Sequence, residues 1–530
     1  MTPVLPANTV PGLAEAAGRF RDRLAVDDGN SQITYPELLE MSRRFGAALV
    51  ASGVEPGDRV AVWAPNCAQW VVTLLGLAQA GAVLVPVNTR FKGGEAADVL
   101  ARSRARVLVT VAGFLDADYV GMLESTGSSL PDLQTTVVAT GGVPPGTLGW
   151  DEFLARATEV GRREVERRGV AVRGSDVADI LFTSGTTGAP KGVVMTHSRT
   201  VRVATDWVEM TGLGPDDRYL MVNPYFHMFG LKAGILACLA SGATMLPEAV
   251  FDVDHVLARV EGERVTVLPG PPTLYQAMLD HPGIGGTDLS SLRVAVTGAA
   301  DIPVELIRRM QTELPFSVLI TGYGLTEAGT ATSTSPGDDP ETIATTVGRP
   351  RPGFDVRLVD DDARAVPAGQ PGEILLRGGS VMSHYLDDAE STASVLLPDG
   401  WLRTGDLGMI DGSGHLRIVG RTKDMFIVGG FNAYPAEIEN LLLAHPAVRQ
   451  AAVIGVPDER LGEVGMAFLV ADPGSEPSAS DIISWSRDHM ANYKVPRRVA
   501  FVDELPLNAT GKVHKDALRA RAAAAPAAPQ

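Results

Sequence analysis

The sequence predicts an α/β protein: a large N-terminal domain of βα-layered sheets with a β subdomain, followed by a small α+β C-terminal domain. Three observations predict it. Apolar runs of strand length alternate with Ala/Leu/Arg-rich helical stretches over roughly the first 350 residues, the signature of βα units and largely parallel sheets. The pattern then breaks into short strands between turn clusters, as in an antiparallel subdomain. Finally, 530 residues exceed the size of about 250–300 residues at which a single hydrophobic core stops growing.

The strand runs are VAVWAP, AVLVPV, RVLVTV, TVLPG, LRVAVTG and FSVLITGYG, and the helices include PELLEMSRRFGAALVASG and PVELIRRMQTEL. The longest apolar stretch, Trp70 to Val87, is interrupted by Gly76, Gln79, Gly81 and Pro86 and reads as a helix ending at Gly81 and then a strand, not as a membrane span. From about Gly353 to Val419, DVRLV, GEILLRG and LRIVG are separated by DDDARAVPAGQPGE, LPDG and DGSG. Beyond Arg421, PAEIENLLLAHP, QAAVIGV, MAFLVA and SDIISWSRDHM suggest helix, strand, strand and helix of a separate small unit. RARAAAAPAAPQ reads as a frayed helix end and tail.

With 46 basic and 63 acidic residues the net charge is −17, and no Lys/Arg cluster stands out, so a nucleic-acid partner is not expected. Small anions need only a local site of backbone N–H groups and a few cations. Cys67 and Cys238 lie far apart in apolar surroundings and read as thiols of a reducing compartment, and MTPVLPANTVPGL has no basic region leading into an apolar stretch. A cytoplasmic enzyme is the expectation.

After the strand-like ADILF comes Thr183-Ser184-Gly185-Thr186-Thr187-Gly188-Ala189-Pro190-Lys191-Gly192, and then the apolar VVM. Glycines permit tight turning, hydroxyls add donors and Lys191 adds a mobile cation, which together make a phosphate cradle. The lysine follows proline and the chain returns to a strand, so this is not the G-x-x-x-x-G-K-[ST] loop. Further strings follow in order: Pro224-Tyr225-Phe226-His227, Thr297-Gly298-Ala299-Ala300, Gly322-Tyr323-Gly324-Leu325-Thr326-Glu327, Thr404-Gly405-Asp406, Gly420-Arg421-Thr422-Lys423-Asp424 and Asn508-Ala509-Thr510-Gly511-Lys512.

This ordered set resembles the signature of the adenylate-forming superfamily of acyl-CoA synthetases, peptide-synthetase adenylation domains and luciferases, and covers essentially the whole chain. The resemblance implies ATP, Mg²⁺ and CoA as co-substrates and cofactor, with a carboxylic acid activated through an acyl-adenylate. It divides the chain into residues 1–422, carrying the ATP and acyl sites, and 423–530, a mobile domain carrying the catalytic lysine. It leaves a homodimer open. Glu327 would coordinate Mg²⁺ and Thr326 would bond the α-phosphate. Tyr323 would pack on adenine beside Gly298, Ala299, Ala300, Gly322 and Gly324, while Asp406 and Arg421 would hold the ribose. Lys512 would offset charge on the carboxylate and phosphate during adenylation. Rotation about the hinge Lys423 would then withdraw it and bring Gly429, Gly430 and Phe431 to line a pantetheine tunnel. His227 would gate the acyl pocket walled by Phe226, Met228 and Phe229.

Lys232 interrupts the apolar FGLKAGIL stretch and has two readings. It either reaches the acyl pocket to bind a polar group of the acid, or it snorkels to solvent or pairs with a carboxylate of the protein. The surrounding NPYFHMFGLKAGILACL, with VTVLPGPPTLYQAMLDHP and DLSSLRVAVTGAA, looks most like actinobacterial ligases for the bicyclic propanoate left from sterol-ring degradation; an aryl or medium-chain acid stays open. A peptide-synthetase module is disfavoured, since no acidic residue follows the Pro-aromatic-Phe position and no carrier domain follows Lys512. Three further functions compete with CoA ligation: loading of a carrier protein by an acyl-AMP ligase, activation of an anion such as nitrite for attack by an amine, and nucleotide binding without catalysis.

Overall fold

The computed structural model describes residues 7–29, 31–183, 190–298, 302–360, 362–421, 424–428, 431–458, 460–490, 492–508 and 512–524. They fall into two compact units, the first formed by Met1–Thr345, Pro350–Phe354 and Arg377–Leu396, the second by Thr346–Arg349, Asp355–Leu376 and Leu397–Gln530.

The first unit is layered α/β, as its alternating runs predict. Its largest sheet has eight strands in the order His384–Tyr385, Lys191–Thr196, Val177–Thr183, Val83–Pro86, Arg59–Trp63, Ala105–Thr110, Thr135–Val138 and Leu148–Gly149. Pairing is parallel from Val177–Thr183 outward through Arg59–Trp63 to Leu148–Gly149, and antiparallel among the first three strands. The parallel strands read as continuous apolar runs because helices cover both faces. A second sheet orders Arg218–Met221, Thr244–Pro247, Leu24–Asp27 and Gln32–Thr34. Elsewhere, Val294–Thr297 runs parallel to Val318–Leu325, which turns back antiparallel into Gly329–Ser333. The expected strand at TVLPG does not form: Val267 makes isolated bridges to Tyr219 and Val294. Pro269, Pro271 and Pro272 lack the N–H groups a ladder needs.

The second unit contains the expected β subdomain, a four-stranded sheet ordered Phe354–Val359, Gly372–Gly378, Leu402–Ile410 and Leu416–Arg421. Its C-terminal part is a long hairpin of Val448–Asp458 against Gly462–Ala471, flanked by Phe426–Val428, Phe431–Ala433 and Arg498–Phe501. Successive residues of this hairpin feed two separate cores: Val453, Ala467 and Leu469 pack with Phe426, Ile438 and Ile482, while Ile454, Met466 and Phe468 pack with Leu505 and Leu518. That is the period-two signature of a sheet covered on both faces.

Two packing constraints in the first unit are specific. The helix Tyr35–Ala51 meets the helix Ala68–Gln79 at glycines. A Cβ on Gly46 would lie 2.8 Å from the carbonyl oxygen of Gly76, and one on Gly76 would lie 2.6 Å from that of Ser42. Behind the strand Val177–Thr183, Lys232 has no exposed surface and its Nζ lies 2.9 Å from Asp179 Oδ1. Thr200 donates its hydroxyl to the other oxygen of Asp179. Next to them His197, buried and held near a pKa of about 4 by desolvation, accepts the backbone N–H of Val10 at Nδ1, 3.3 Å away. Burial lowers the lysine's pKa and Asp179 opposes that shift.

Gly76→Ala should therefore lower the thermal midpoint, since overpacking against rigid backbone costs about 1–3 kcal/mol. Gly94→Ala, where an added Cβ meets nothing within 4 Å, should leave it unchanged or raise it; equal behaviour of the two variants in calorimetry would remove the close-approach explanation. Lys232→Met should be severely destabilising, because an unpaired buried carboxylate costs about 3–5 kcal/mol. The double variant Lys232→Met/Asp179→Leu should recover most of that loss, and a double variant no more stable than the single would show that the pair is not the cause.

Candidate active site

The site is assembled where three antiparallel segments meet at the edge of the eight-stranded sheet. Val177–Thr183 and Lys191–Thr196 pair in register from Val177↔Thr196 to Thr183↔Lys191, which draws the two shoulders of the glycine-rich loop together. Thr183 Oγ1 donates to the carbonyl of Lys191 at 3.3 Å. Ser184, Gly185, Thr186, Thr187 and Gly188 lie outside the described residues. Both shoulders are gripped by Arg102, from the helix Gly93–Ser103, a residue that carries no sequence signal. Its Nη1 donates to the carbonyl of Pro190 at 2.6 Å, and its guanidinium stacks 5.2 Å from the centroid of the Phe182 ring.

Lys191 lies half-buried with its ammonium 5.1 Å from the centre of the Tyr385 ring. Tyr385 sits on the short strand His384–Tyr385, paired to Val193 of the lysine's own strand. Its hydroxyl donates to Glu327 Oε1 at 2.9 Å, and the Met382 N–H donates to the Glu327 carbonyl at 2.6 Å. Burial and the Glu327 carboxylate both push the phenol well above its ordinary range, so it remains a donor. Lys191 and the YGLTE carboxylate are thus joined through an aromatic residue that belongs to none of the motif strings.

Thr326 and Glu327 occupy the turn between Val318–Leu325 and Gly329–Ser333, closed by the Ala328 N–H donating to the Leu325 carbonyl at 3.0 Å. The glycines around Tyr323 answer to this hairpin. A Cβ on Gly322 would lie 2.7 Å from the Thr332 carbonyl, and one on Gly324 would lie 2.3 Å from that of Gly329. Tyr323, half-buried, pairs with Thr332 beside a register shift. Gly298 follows the neighbouring strand, and its Cβ position is 3.4 Å from the Gly322 carbonyl, so these two motif glycines are adjacent. Ala299 and Ala300 lie outside the described residues.

The PYFHMFG segment is clamped by Asn66, a second residue without a sequence signal. Its amide donates to the carbonyls of Met221 and Asn223 at 2.8 and 3.0 Å, and its oxygen accepts the Tyr225 N–H at 2.8 Å. His227 is exposed at the start of the helix, its carbonyl accepting the Leu231 N–H at 3.0 Å and its Nδ1 accepting the Phe229 N–H at 3.2 Å. Phe226 is half-buried and Met228 is buried. Phe229 meets Trp207 edge-on at 4.8 Å between centroids. Phe229–Leu236 winds as a π-helix, a widened form frequent at functional sites. Gly230 is required there, since a Cβ would lie 2.2 Å from the Pro224 carbonyl. Of the two readings of Lys232, the structure shows the carboxylate pairing with Asp179, because an ammonium with no exposed surface needs a counter-charge from the protein.

In the second unit, Asp406 is buried on Leu402–Ile410, cross-strand from Arg421. Thr404 fixes the turn, accepting from the Asp406 N–H at 3.1 Å and donating to the Ile374 carbonyl at 2.8 Å. Arg421 is placed by its backbone alone, while Lys423, Gly429 and Gly430 lie outside the described residues. Phe431 is the backbone partner of Val428 in a hairpin ladder. Lys512 is exposed on a narrow hairpin stem, where its N–H donates to Asn508 Oδ1 at 3.0 Å and its carbonyl accepts the Asn508 N–H at 2.8 Å.

Among the described residues no group of three metal-ligating side chains occurs. A lone carboxylate such as Glu327 fits Mg²⁺, which keeps several waters and completes its shell with substrate phosphates, and it does not fit zinc. No helix among the described residues is long and apolar enough to cross a membrane.

The AMP-binding enzyme profile matches residues 13–386, and the AMP-binding enzyme C-terminal domain profile matches residues 437–512. The chain is 49% identical over 517 residues, 97% of its length and 98% of the relative's, to a Rhodococcus jostii (strain RHA1) propanoyl:CoA ligase whose acyl group carries a 7a-methyl-1,5-dioxo-octahydro-1H-inden-4-yl ring system. It is 50% identical over 514 residues, 96% of its length and 98% of the relative's, to the ligase of the same name from Mycobacterium tuberculosis (strain ATCC 25618 / H37Rv). The solved structure of the anthranilate CoA ligase AuaEII with anthranoyl-AMP superposes with a TM-score of 0.86 at 30% identity, covering 98% of each chain. The chain belongs to the AMP-binding enzyme family, among its ATP-dependent acyl-CoA ligases.

Proposed function

We propose that the chain activates a compact polycyclic propanoate, of the kind named for its Rhodococcus and Mycobacterium relatives, through an acyl-adenylate and passes the acyl group to CoA. The observation that carries the adenylation chemistry is the joining of Lys191, Tyr385 and Glu327 beside the shoulders of the glycine-rich loop. The acid's class rests on near-half identity over the full lengths of both relatives. The apolar and aromatic side chains Phe226, Met228, Phe229 and Trp207 suit a ring system. Engagement of Lys232 by Asp179 favours an acid without a distal charge.

In the first half-reaction a carboxylate oxygen attacks the α-phosphorus and pyrophosphate leaves. Two anions must be brought in line, so cations have to neutralise charge as it develops. Lys191 and the loop would take the terminal phosphates, Thr326 the α-phosphate, and Lys512 the attacking carboxylate. Glu327 would hold Mg²⁺, which supplies further neutralisation of phosphate charge when bound. Tyr323 with the 298–300 turn would seat adenine, and Asp406 with Arg421 would take the ribose hydroxyls.

In the second half-reaction the CoA sulfur attacks the acyl carbon and AMP leaves. Residues 423–530 would turn about Lys423, withdrawing Lys512 and presenting the 428–431 hairpin to pantetheine, with His227 as the gate to the acyl pocket. The two unoxidised cysteines, Cys238 buried and Cys67 pushed by desolvation to about 11, suit an enzyme of the cytoplasm.

Lys512→Ala should cut acid-dependent pyrophosphate release by about 10²-fold or more while leaving thioester formation from supplied acyl-AMP within a few-fold; equal loss in both assays would contradict the domain turn. Lys423→Pro, which fixes φ near −65°, should show the opposite pattern. Across bicyclic propanoates, aryl acids and straight-chain medium-length acids, kcat/KM for CoA-thioester formation should favour the bicyclic propanoate by at least about tenfold. A straight-chain preference would overturn the substrate assignment while leaving the adenylation chemistry standing.

A further inference from the structure

Tyr385 is 7% exposed and touches both charged groups of the phosphate-binding edge. Its ring face meets the Lys191 ammonium at 5.1 Å and its hydroxyl meets Glu327 Oε1 at 2.9 Å. The backbone around it is tied down on three sides. The Tyr385 N–H donates to Thr392 Oγ1 at 2.9 Å, the Leu386 N–H to the Gly192 carbonyl at 2.7 Å, and the Met382 N–H to the Glu327 carbonyl at 2.6 Å. The phenol therefore has a fixed address, while the glutamate sits on a turn with a carboxylate torsion that is intrinsically broad. A buried hydroxyl needs an acceptor, and Glu327 supplies it.

Opposite charges at one site gain by pairing directly, which would draw both away from phosphate and metal. An aromatic ring with a hydroxyl gives each a separate partner: the cation takes the ring face and the carboxylate takes the donor. We propose that Tyr385 is a positioning residue for the divalent cation, its hydroxyl setting the orientation of the Glu327 carboxylate while its ring keeps Lys191 in place for the terminal phosphates. The proposal rests on the reading of Glu327 as the metal-holding carboxylate.

The test is Mn²⁺ binding to the full-length enzyme with saturating α,β-methylene-ATP, read from the electron paramagnetic resonance signal of free Mn²⁺, so that no turnover is needed. Tyr385→Phe keeps the ring and should raise the Mn²⁺ concentration for half-saturation about tenfold, the loss expected for one hydrogen bond to a charged group. Its thermal midpoint and its acyl transfer to CoA from supplied acyl-AMP should stay near wild type. Glu327→Gln should weaken binding further, and adding Tyr385→Phe to it should change nothing more, because the hydroxyl acts through that carboxylate. Tyr385→Leu, which also removes the ring face, should raise the KM for ATP beyond the phenylalanine variant. Wild-type Mn²⁺ affinity in Tyr385→Phe, or an equal loss on the Glu327→Gln background, would overturn the proposal with the metal reading intact. Unchanged affinity in Glu327→Gln would overturn both, and an unchanged KM for ATP in Tyr385→Leu would remove the ring's part.

Discussion

The backbone ladder that pairs Val177–Thr183 with Lys191–Thr196 and then with His384–Tyr385 is the constraint on which the rest of the site depends. The two strands that flank the glycine-rich segment are paired up to the residues next to it. The ladder ends at Thr183↔Lys191, and Arg102 reinforces it from a neighbouring helix by holding Pro190 and Phe182. The third strand, only two residues long, delivers Tyr385 to Lys191 and to the turn that carries Glu327. A mixed sheet with an antiparallel edge thereby holds the Lys191 ammonium, the Tyr385 ring and the Glu327 carboxylate together.

The same strand carries a second burden beneath the surface. Asp179 lies on it, facing Lys232 of the π-helix and Thr200 of the helix His197–Thr211. Desolvating an ion pair is costly, and such a pair adds little net stability compared with an apolar substitute. Its effect is geometric: it ties the segment that follows His227 to the strand that leads into the glycine-rich segment. Asn66 fixes the near side of the same segment through three hydrogen bonds. His227 is exposed, yet the chain on either side of it is held by buried polar contacts.

The fold class is legible in the sequence because period-two and helical patterns persist over long stretches, and the motif strings are legible because each packs its chemistry into consecutive residues. Gly322 and Gly324 stand out in their motif, but the hairpin contacts that require glycine there involve Thr332 and Gly329 across the turn. Tyr385, Arg102 and Asn66 are illegible for one physical reason. Their partners lie 58, 88 and at least 155 residues away, so no local spacing encodes them. The π-helix is equally hidden, since FGLKAGIL is apolar at every position but Lys232 and the glycines and shows no helical period to read. TVLPG has the apolar composition of a strand, yet the ladder obeys its prolines, which no count of apolar residues weighs.

What unites these observations is the claim that this edge activates a carboxylic acid as its adenylate before any thiol is engaged. The most direct measurement is exchange of labelled pyrophosphate into ATP, with the propanoate acid present and CoA withheld. Acid-dependent exchange at a rate sufficient for turnover is the predicted result. Exchange that appears only when CoA is added, or that proceeds equally without acid, would contradict the account.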